Sequence, residues 1–438
     1  MDLLKDRLAP IFARYFVAAL GSTAAAAIYG LVDMIAVGRS QGPDGVAALA
    51  VILPTWTVIY AFGLMLGIGG GVLFSKLKGK TCARIEKANE YFTAAVLGGA
   101  LVSAVLVALF AAFDREILMF SGARGPVLAL AREYVVPLKF ALPFFLFSQI
   151  LGAFLRNDNA PNLAMTAVLV GGAVNIFGDW FFVFPMGWGM WGAGLATCLG
   201  AVVAVFVQCA HAFRPHTLAF RRPTVFLFKL RTIAVLGFAA FVTDLAIGIV
   251  TILFNRQILA LLDNSALAVY GVLQSLIMLA QCCGYAVGQA AQPILSINHG
   301  AGRADRVRET FRHACVALAG VTAFWFAVPE AVPNACVRLF MTPTPDILAC
   351  APDIIRLYAL TFLLLPFNIY IGYHFQSVLR PNDALVISLL RGLFVSGALV
   401  FLLPALFGPR ALWLAMPATE VVATAYALVR LRRKEVRR

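Results

Sequence analysis

Four acidic side chains, Asp33, Asp179, Asp244 and Glu420, lie deep inside stretches that are otherwise apolar. An ionised carboxylate in hydrocarbon costs roughly 3 kcal/mol on insertion scales, so such groups face a cavity, a cation or a polar partner. Two readings follow. The acids are polar contacts between helices, or they are sites for a proton or a sodium ion, since burial disfavours the ionised form and a second carboxylate nearby attracts a cation or holds a proton.

The residues around two of these acids favour the second reading. Asn175 precedes Asp179 by one helical turn, on the same face. Thr197 lies in the next apolar stretch, Asp33 in the first, and Tyr134 heads the fourth. Together they offer carboxylate, amide and hydroxyl oxygens, the donor set of a hard cation or a proton relay. A looser set belongs to the second half of the chain: Asp244, Gln281, Gln289, Gln292, Asn368 and Glu420. Gln281, Gln289 and Gln292 share one helical face, where they line a cavity or bond to neighbouring helices.

These residues are carried by long apolar runs. Of the 438 residues 61% are hydrophobic and 13% charged, about half the charged share of a soluble domain. So few charges cannot make a water-facing surface. Taking about 20 apolar residues per span, twelve membrane helices are expected, near 12–37, 46–74, 91–112, 133–155, 163–184, 190–212, 232–258, 265–296, 311–332, 354–379, 384–407 and 410–431. The fold class is therefore an all-α polytopic membrane protein, a multi-pass protein of the inner (plasma) membrane with the lipid bilayer as its solvent. The first run is too long for a removable signal peptide and is read as the first span. Most of the 35 Lys and Arg fall on one side of this arrangement, which by the positive-inside rule puts both termini in the cytoplasm. Arg156 is counted there as a loop residue, and Arg391 as a residue snorkelling to the interface or pairing with a second-half acid.

The halves repeat. Leu155-Arg156-Asn157-Asp158 recurs as Leu379-Arg380-Pro381-Asn382-Asp383, preceded at equal spacing by Tyr134 and Tyr358. Ser75 and Gly79 match Ser296 and Gly300, and Ala48-Leu49-Ala50-Val51 matches Ala266-Leu267-Ala268-Val269. All four pairs stand at nearly one offset, close to half the chain. An even number of spans per repeat gives both copies the same orientation, hence a pseudo-two-fold axis along the membrane normal with substrate between them. The expected division is a first lobe, 1–212, a cytoplasmic linker, 213–231, a second lobe, 232–431, and a basic tail, 432–438.

Several functions are disfavoured. No nucleic-acid-binding signature accompanies the basic residues, and the eight cysteines show no zinc spacing. The glycine runs Gly67–Gly71 and Gly171-Gly172 lack the ending of a phosphate-binding loop and serve close helix contact. No nucleophile–base set or pair of histidines lies at depth, so an enzyme is not expected, nor a cofactor. Cys336 and Cys350 share one outer loop and are a candidate disulfide.

The chain resembles the multidrug and toxic compound extrusion (MATE) family over nearly its whole length. The resemblance rests on Asp33 followed by Gly38-Arg39; the Gly67–Gly71 run before a basic loop; Leu155-Arg156 before a polar turn; and Asn175 through Asp179 followed by Gly192-Ala193-Gly194-Leu195-Ala196-Thr197. In the second half it rests on Asn255-Arg256, Gly288-Gln289-Ala290-Ala291-Gln292-Pro293 and Asn298-His299-Gly300-Ala301-Gly302-Arg303. The pattern is most similar to prokaryotic members of the DNA-damage-inducible-type branch. The resemblance implies two six-helix lobes, alternating access, and export of small organic, cationic compounds in exchange for protons or sodium, by a monomer. It also implies that Asp33, Asn175, Asp179 and Thr197 form a first-lobe cation site lined by Tyr134. Ala18 and Ala239 stand where the family often has prolines, so helix bending here would fall to Gly21 and Gly30. The nearest rival reading is a lipid-linked oligosaccharide flippase of the related superfamily; a channel is disfavoured by the duplication.

Overall fold

The structure is a computed structural model that describes residues 2–80, 84–341 and 343–435, with side chains to residue 432; the end of the basic tail, 436–438, lies outside it. Among the described residues eleven helices are long and apolar enough to cross a membrane: α1 (Leu8–Lys80), α2 (Ile85–Phe120), α3 (Gly125–Asn157), α4 (Pro161–Val183), α5 (Gly189–Phe213), α6 (Phe226–Leu261), α7 (Asn264–Gly300), α8 (Ala304–Ala331), α9 (Pro345–Ser377), α10 (Pro381–Phe407) and α11 (Pro409–Arg432). Helix α1, at 73 residues, is two spans in one. Gly42 breaks it with φ +66°, a conformation open to glycine at no steric cost. Pro43 follows and has no N–H to continue the first arm. The twelve expected spans are thus present, in the all-α fold read from the sequence.

Helix starts follow from local chemistry. Proline sits in the first turn of α3, α4, α9, α10 and α11, where its missing N–H would have had no helical partner. Asp263 caps α7 by accepting from the Ala266 N–H at 2.8 Å. The turns at the two copies of the repeated motif each carry a non-glycine residue at positive φ, Asn159 at 66° and Leu379 at 59°. Between α5 and α6 the chain has no regular secondary structure, and α6 begins at Phe226.

Apolar side chains point outward as well as inward. Leu101, Phe140, Phe206, Ile252, Phe324 and Leu402 are each more than half exposed, a surface that suits lipid and not water. The interior is packed with Phe74, Phe154, Phe254 and Phe375, all fully buried. The glycine runs do allow close helix contact, as Gly171 does against the Gly200 carbonyl of α5.

With an even number of spans, both termini share one side, and on that side the two halves are locked together. Asn157 and Gln292 exchange hydrogen bonds at 3.2 Å in both directions, and the Ser75 hydroxyl donates to Asn157 Oδ1 at 2.6 Å. The first residues are pinned to the second half: Arg306 donates to the carbonyls of Leu3 at 3.1 Å and Asp6 at 2.7 Å, and Asn298 to Leu3 at 3.1 Å.

Candidate functional site

The break at Gly42 sends α1 back through the membrane, so its first arm, carrying Asp33, packs beside α3, α4 and α5. The Tyr134 hydroxyl donates to Asp33 Oδ2 at 3.1 Å and lies 3.1 Å from Thr197 Oγ1. Asn175 Nδ2 also donates to Thr197 Oγ1, at 3.2 Å. A hydroxyl has a single proton to give. Since Tyr134 gives its proton to Asp33, Thr197 must give its own to Tyr134. The result is a directed chain, Asn175 to Thr197 to Tyr134 to Asp33.

The chain leaves a surplus of acceptors. Asp33 Oδ1, Asn175 Oδ1 and both carboxylate oxygens of Asp179 are buried with no hydrogen-bond partner among the described residues. Asp179 is fully buried. It opens a π-turn, Asp179–Val183, at the end of α4, a local widening that often marks functional positions. Leaving a buried acceptor unmade costs about 1–3 kcal/mol, more for a charged group. Four such oxygens in one place are the arrangement that a bound proton or small cation relieves. The structure thus brings together the five residues read from the sequence.

The second-half candidates divide. Asp244 is buried, its Oδ1 accepts from the Tyr285 hydroxyl at 3.4 Å and its Oδ2 has no partner among the described residues. It lines a small cavity with Tyr285, Asn368, Tyr373 and Gln376. Gln281 and Gln289 line a cavity of about 180 Å³ between the halves, with Tyr60, Tyr285 and Tyr373. Two expectations need correction. Gln292 is held by a neighbouring helix instead of facing cargo: its amide is consumed by Asn157. Glu420 is likewise no cavity acid. It is fully buried and paired with Arg391, whose Nε lies 2.9 Å from Oε2 and whose Nη2 lies 2.9 Å from Oε1, and Asn368 donates to it at 2.6 Å. Arg391 therefore does not snorkel; it neutralises an acid at depth.

Other groups escaped the sequence reading. Arg156 is buried and lines a cavity with Tyr29, Tyr60, Gln149, Asn175, Thr197 and Gln208. Tyrosines placed mid-span were the available signal for Tyr29, Tyr60, Tyr285 and Tyr373. Cys336 and Cys350 are free thiols.

A family model described as MatE matches residues 18–181 and 242–401, most of the chain and both halves of the repeat. The chain belongs to the MatE family. The multidrug export protein MepA of Staphylococcus saprophyticus is 24% identical over 413 residues, which span 92% of this MatE chain and 89% of that protein. MepA of Staphylococcus aureus is 23% identical over 408 residues, with the same coverage of both chains. Two solved structures share the fold. One is an outward-facing conformation of a multidrug resistance MATE family transporter of the MOP superfamily, with TM-score 0.90, 20% identity and coverage of 99% and 97%. The other is a MOP superfamily transporter from Pyrococcus furiosus, with TM-score 0.91, 19% identity and coverage of 100% and 98%. Membership in this family makes the chain a transporter and not an enzyme.

Proposed function

We propose that this protein is a secondary antiporter that exports organic, cationic compounds by alternating access, in exchange for a proton or a sodium ion held at Asp33 and Asp179. The observation that carries the reading is the set of four buried, unpartnered oxygens on Asp33, Asn175 and Asp179. A proton satisfies them by turning an acceptor into a donor. A sodium ion satisfies them as ligands, with the Tyr134 and Thr197 oxygens at the rim. The names of the staphylococcal relatives, multidrug export proteins, support a drug-like cargo.

The division into a first lobe, 1–212, and a second, 232–431, fits this reading, with the inter-lobe cavity at Tyr60, Gln281, Gln289 and Tyr373 as the place for cargo. With the termini in the cytoplasm of a cell bounded by this plasma membrane, the contacts between Asn157 and Gln292 close the inner side. Ion binding from outside then favours the state that releases cargo outward, because the ion and the cargo stabilise different states of one equilibrium.

The test is transport in proteoliposomes under separately imposed gradients. Counterflow of a fluorescent organic cation should follow either the pH gradient or the sodium gradient. Passive equilibration that ignores both would overturn the antiporter.

A further inference from the structure

In the first half, the linker covers the helix ends on the face that carries the termini. The Thr217 N–H donates to Asp158, just past α3, at 2.9 Å, and the Thr217 hydroxyl accepts from Lys78 of α1 at 2.9 Å. In α2, Asn89 accepts from the Ala219 N–H at 3.1 Å and Glu90 from the Thr224 N–H at 2.8 Å. The Phe220 ring lies 5.2 Å from that of Phe92.

The second half has the same helix ends but no linker after them. By the offset that matches Gly79 to Gly300, Lys78 corresponds to His299, and by the repeated motif Asp158 corresponds to Asp383. Here, among the ends of α7, α9 and α11 and the start of α8, lies a cavity of about 330 Å³, larger than the inter-lobe cavity of about 180 Å³.

Its lining has two parts. Val307 and Phe311 of α8 and Leu428 of α11 are apolar. Arg308 of α8, Arg380 just before α10 and Arg432 at the end of α11 are permanently charged, and no acid stands among the described lining residues. Arg308 and Arg432 are exposed and pair with no described residue. Neighbouring acids are engaged elsewhere: Asp383 by Arg380 and by Arg430 at 2.6 Å, and Glu309 by His313 at 3.7 Å.

The apolar wall runs on beyond the cavity. Leu428 is 45% exposed, and Val421, two turns earlier on the same face of α11, is 56% exposed. Arginines at the helix ends with hydrocarbon leading inward are the complement of an anionic phospholipid. The guanidinium fork matches two phosphate oxygens, and basic pockets between spans bind such head groups. A soluble anion would leave the apolar wall unused, and a cationic compound would be repelled. The chain itself does not supply the missing charge, because α11 continues as a helix through the basic Arg433 and Lys434.

We propose that this crevice holds one anionic phospholipid from the leaflet on the side of the termini, its phosphate on Arg308 and Arg432 and an acyl chain along Leu428 and Val421. The lipid bridges α8 to α11 and covers in the second half what the linker covers in the first. The site is separate from the carboxylates of the ion site and from the inter-lobe cavity, and it does not depend on what the protein exports.

The probe is phosphatidylglycerol, with phosphatidylcholine of the same acyl chains as the neutral comparison. Native mass spectrometry of the full chain in detergent counts the lipids retained. One phosphatidylglycerol should bind at least about tenfold more tightly than phosphatidylcholine. Arg308→Gln combined with Arg432→Gln should remove that preference, at about fivefold for each charge near the membrane surface. Arg221→Gln combined with Arg222→Gln takes two charges from the linker and should leave the preference intact. In the unmodified protein, in nanodiscs, phosphatidylglycerol with a photoreactive diazirine in its acyl chain should crosslink to α8 or α11. Equal retention of the two lipids, equal losses in the two double variants, or crosslinks confined to other helices would each overturn the assignment. So would displacement of phosphatidylglycerol by an equal concentration of glycerol 3-phosphate, which would give the site to a soluble anion.

Discussion

Gly79 and Gly300 hold matching places in the two halves, and each lies against the other's helix backbone. A Cβ at Gly79 would stand 2.1 Å from the Ile297 carbonyl oxygen, and one at Gly300 would stand 2.1 Å from that of Lys76. No side chain can give way there, because the obstacle is backbone. Gly79→Ala or Gly300→Ala must therefore push the helices apart on the side that carries the termini. Ser296, fully buried beside this contact, reports the change. As a cysteine in an otherwise cysteine-free background it should react with a hydrophilic maleimide roughly fivefold faster when Gly79 is alanine, a shift of about 1 kcal/mol between two states. An unchanged labelling rate would show that this contact does not hold the halves closed.

Asp33 and Asp179 carry the proposed coupling, and each has buried oxygen that no described residue satisfies. Asp33→Asn and Asp179→Asn keep the size and remove the charge. Both variants should fold, since neither breaks an ion pair. Both should lose gradient-driven export in proteoliposomes by at least about tenfold, the effect of roughly 1.4 kcal/mol in ion binding. Normal export in both would sink the ion site.

Tyr134 joins Asp33 to Thr197 through one hydroxyl, and Tyr134→Phe removes it while leaving the buried ring. A hydrogen bond to a charged group is worth about 1.5–3 kcal/mol. The variant should need about tenfold more ion for half-maximal transport, with maximal rate and thermal stability close to the parent. A fall in maximal rate with no change in ion dependence would make Tyr134 a packing residue.

How much of this was legible in the sequence depended on whether a relation runs along one helix or between two. Asn175 and Asp179 share a face by spacing alone, and the duplication marked Tyr134 through its twin Tyr358. The twins then differ: Tyr134 bonds to a carboxylate, whereas Tyr358 sits in an aromatic cluster with Phe254 and Tyr270. Repeat arithmetic could place both tyrosines, yet their environments are set by other helices. Glu420 and Arg391 were each visible as charges at depth. That they face each other depends on the packing of α10 against α11, which periodicity within one helix does not determine. Arg156 sits at the end of an apolar run, and distance along the chain says nothing about burial from the side.

Asp158 makes a pH-dependent prediction. Its burial works against ionisation, but His211, Lys78 and Thr217 outweigh that and hold its carboxyl well below the usual carboxylate range. A carboxyl with a depressed folded pKa stabilises the protein above its unfolded value of 3.8 and loses that contribution as the pH falls below it. Asp158→Asn should therefore destabilise the protein at pH 7 by roughly 3 kcal/mol, the cost of breaking a buried pair. The gap between parent and variant should close as the pH drops below about 4. Thermal unfolding of the detergent-solubilised proteins across this range checks it, and a gap independent of pH would contradict the ionic account.

Arg391 and Glu420 supply the contrast to the ion site, because here the acid is fully answered. Three hydrogen bonds from Arg391 and one from the Asn368 side chain occupy the carboxylate. An acid so satisfied has no vacancy for a coupling ion, and its work is structural. Arg391→Leu strands a fully buried charge and should cost about 3–5 kcal/mol. Adding Glu420→Gln removes the stranded charge while keeping a group for Asn368, and should restore most of that loss. The double variant should still export with the parent's dependence on the ion gradient. If it regains stability yet loses that dependence, the second half takes part in coupling and the division of labour between the halves falls.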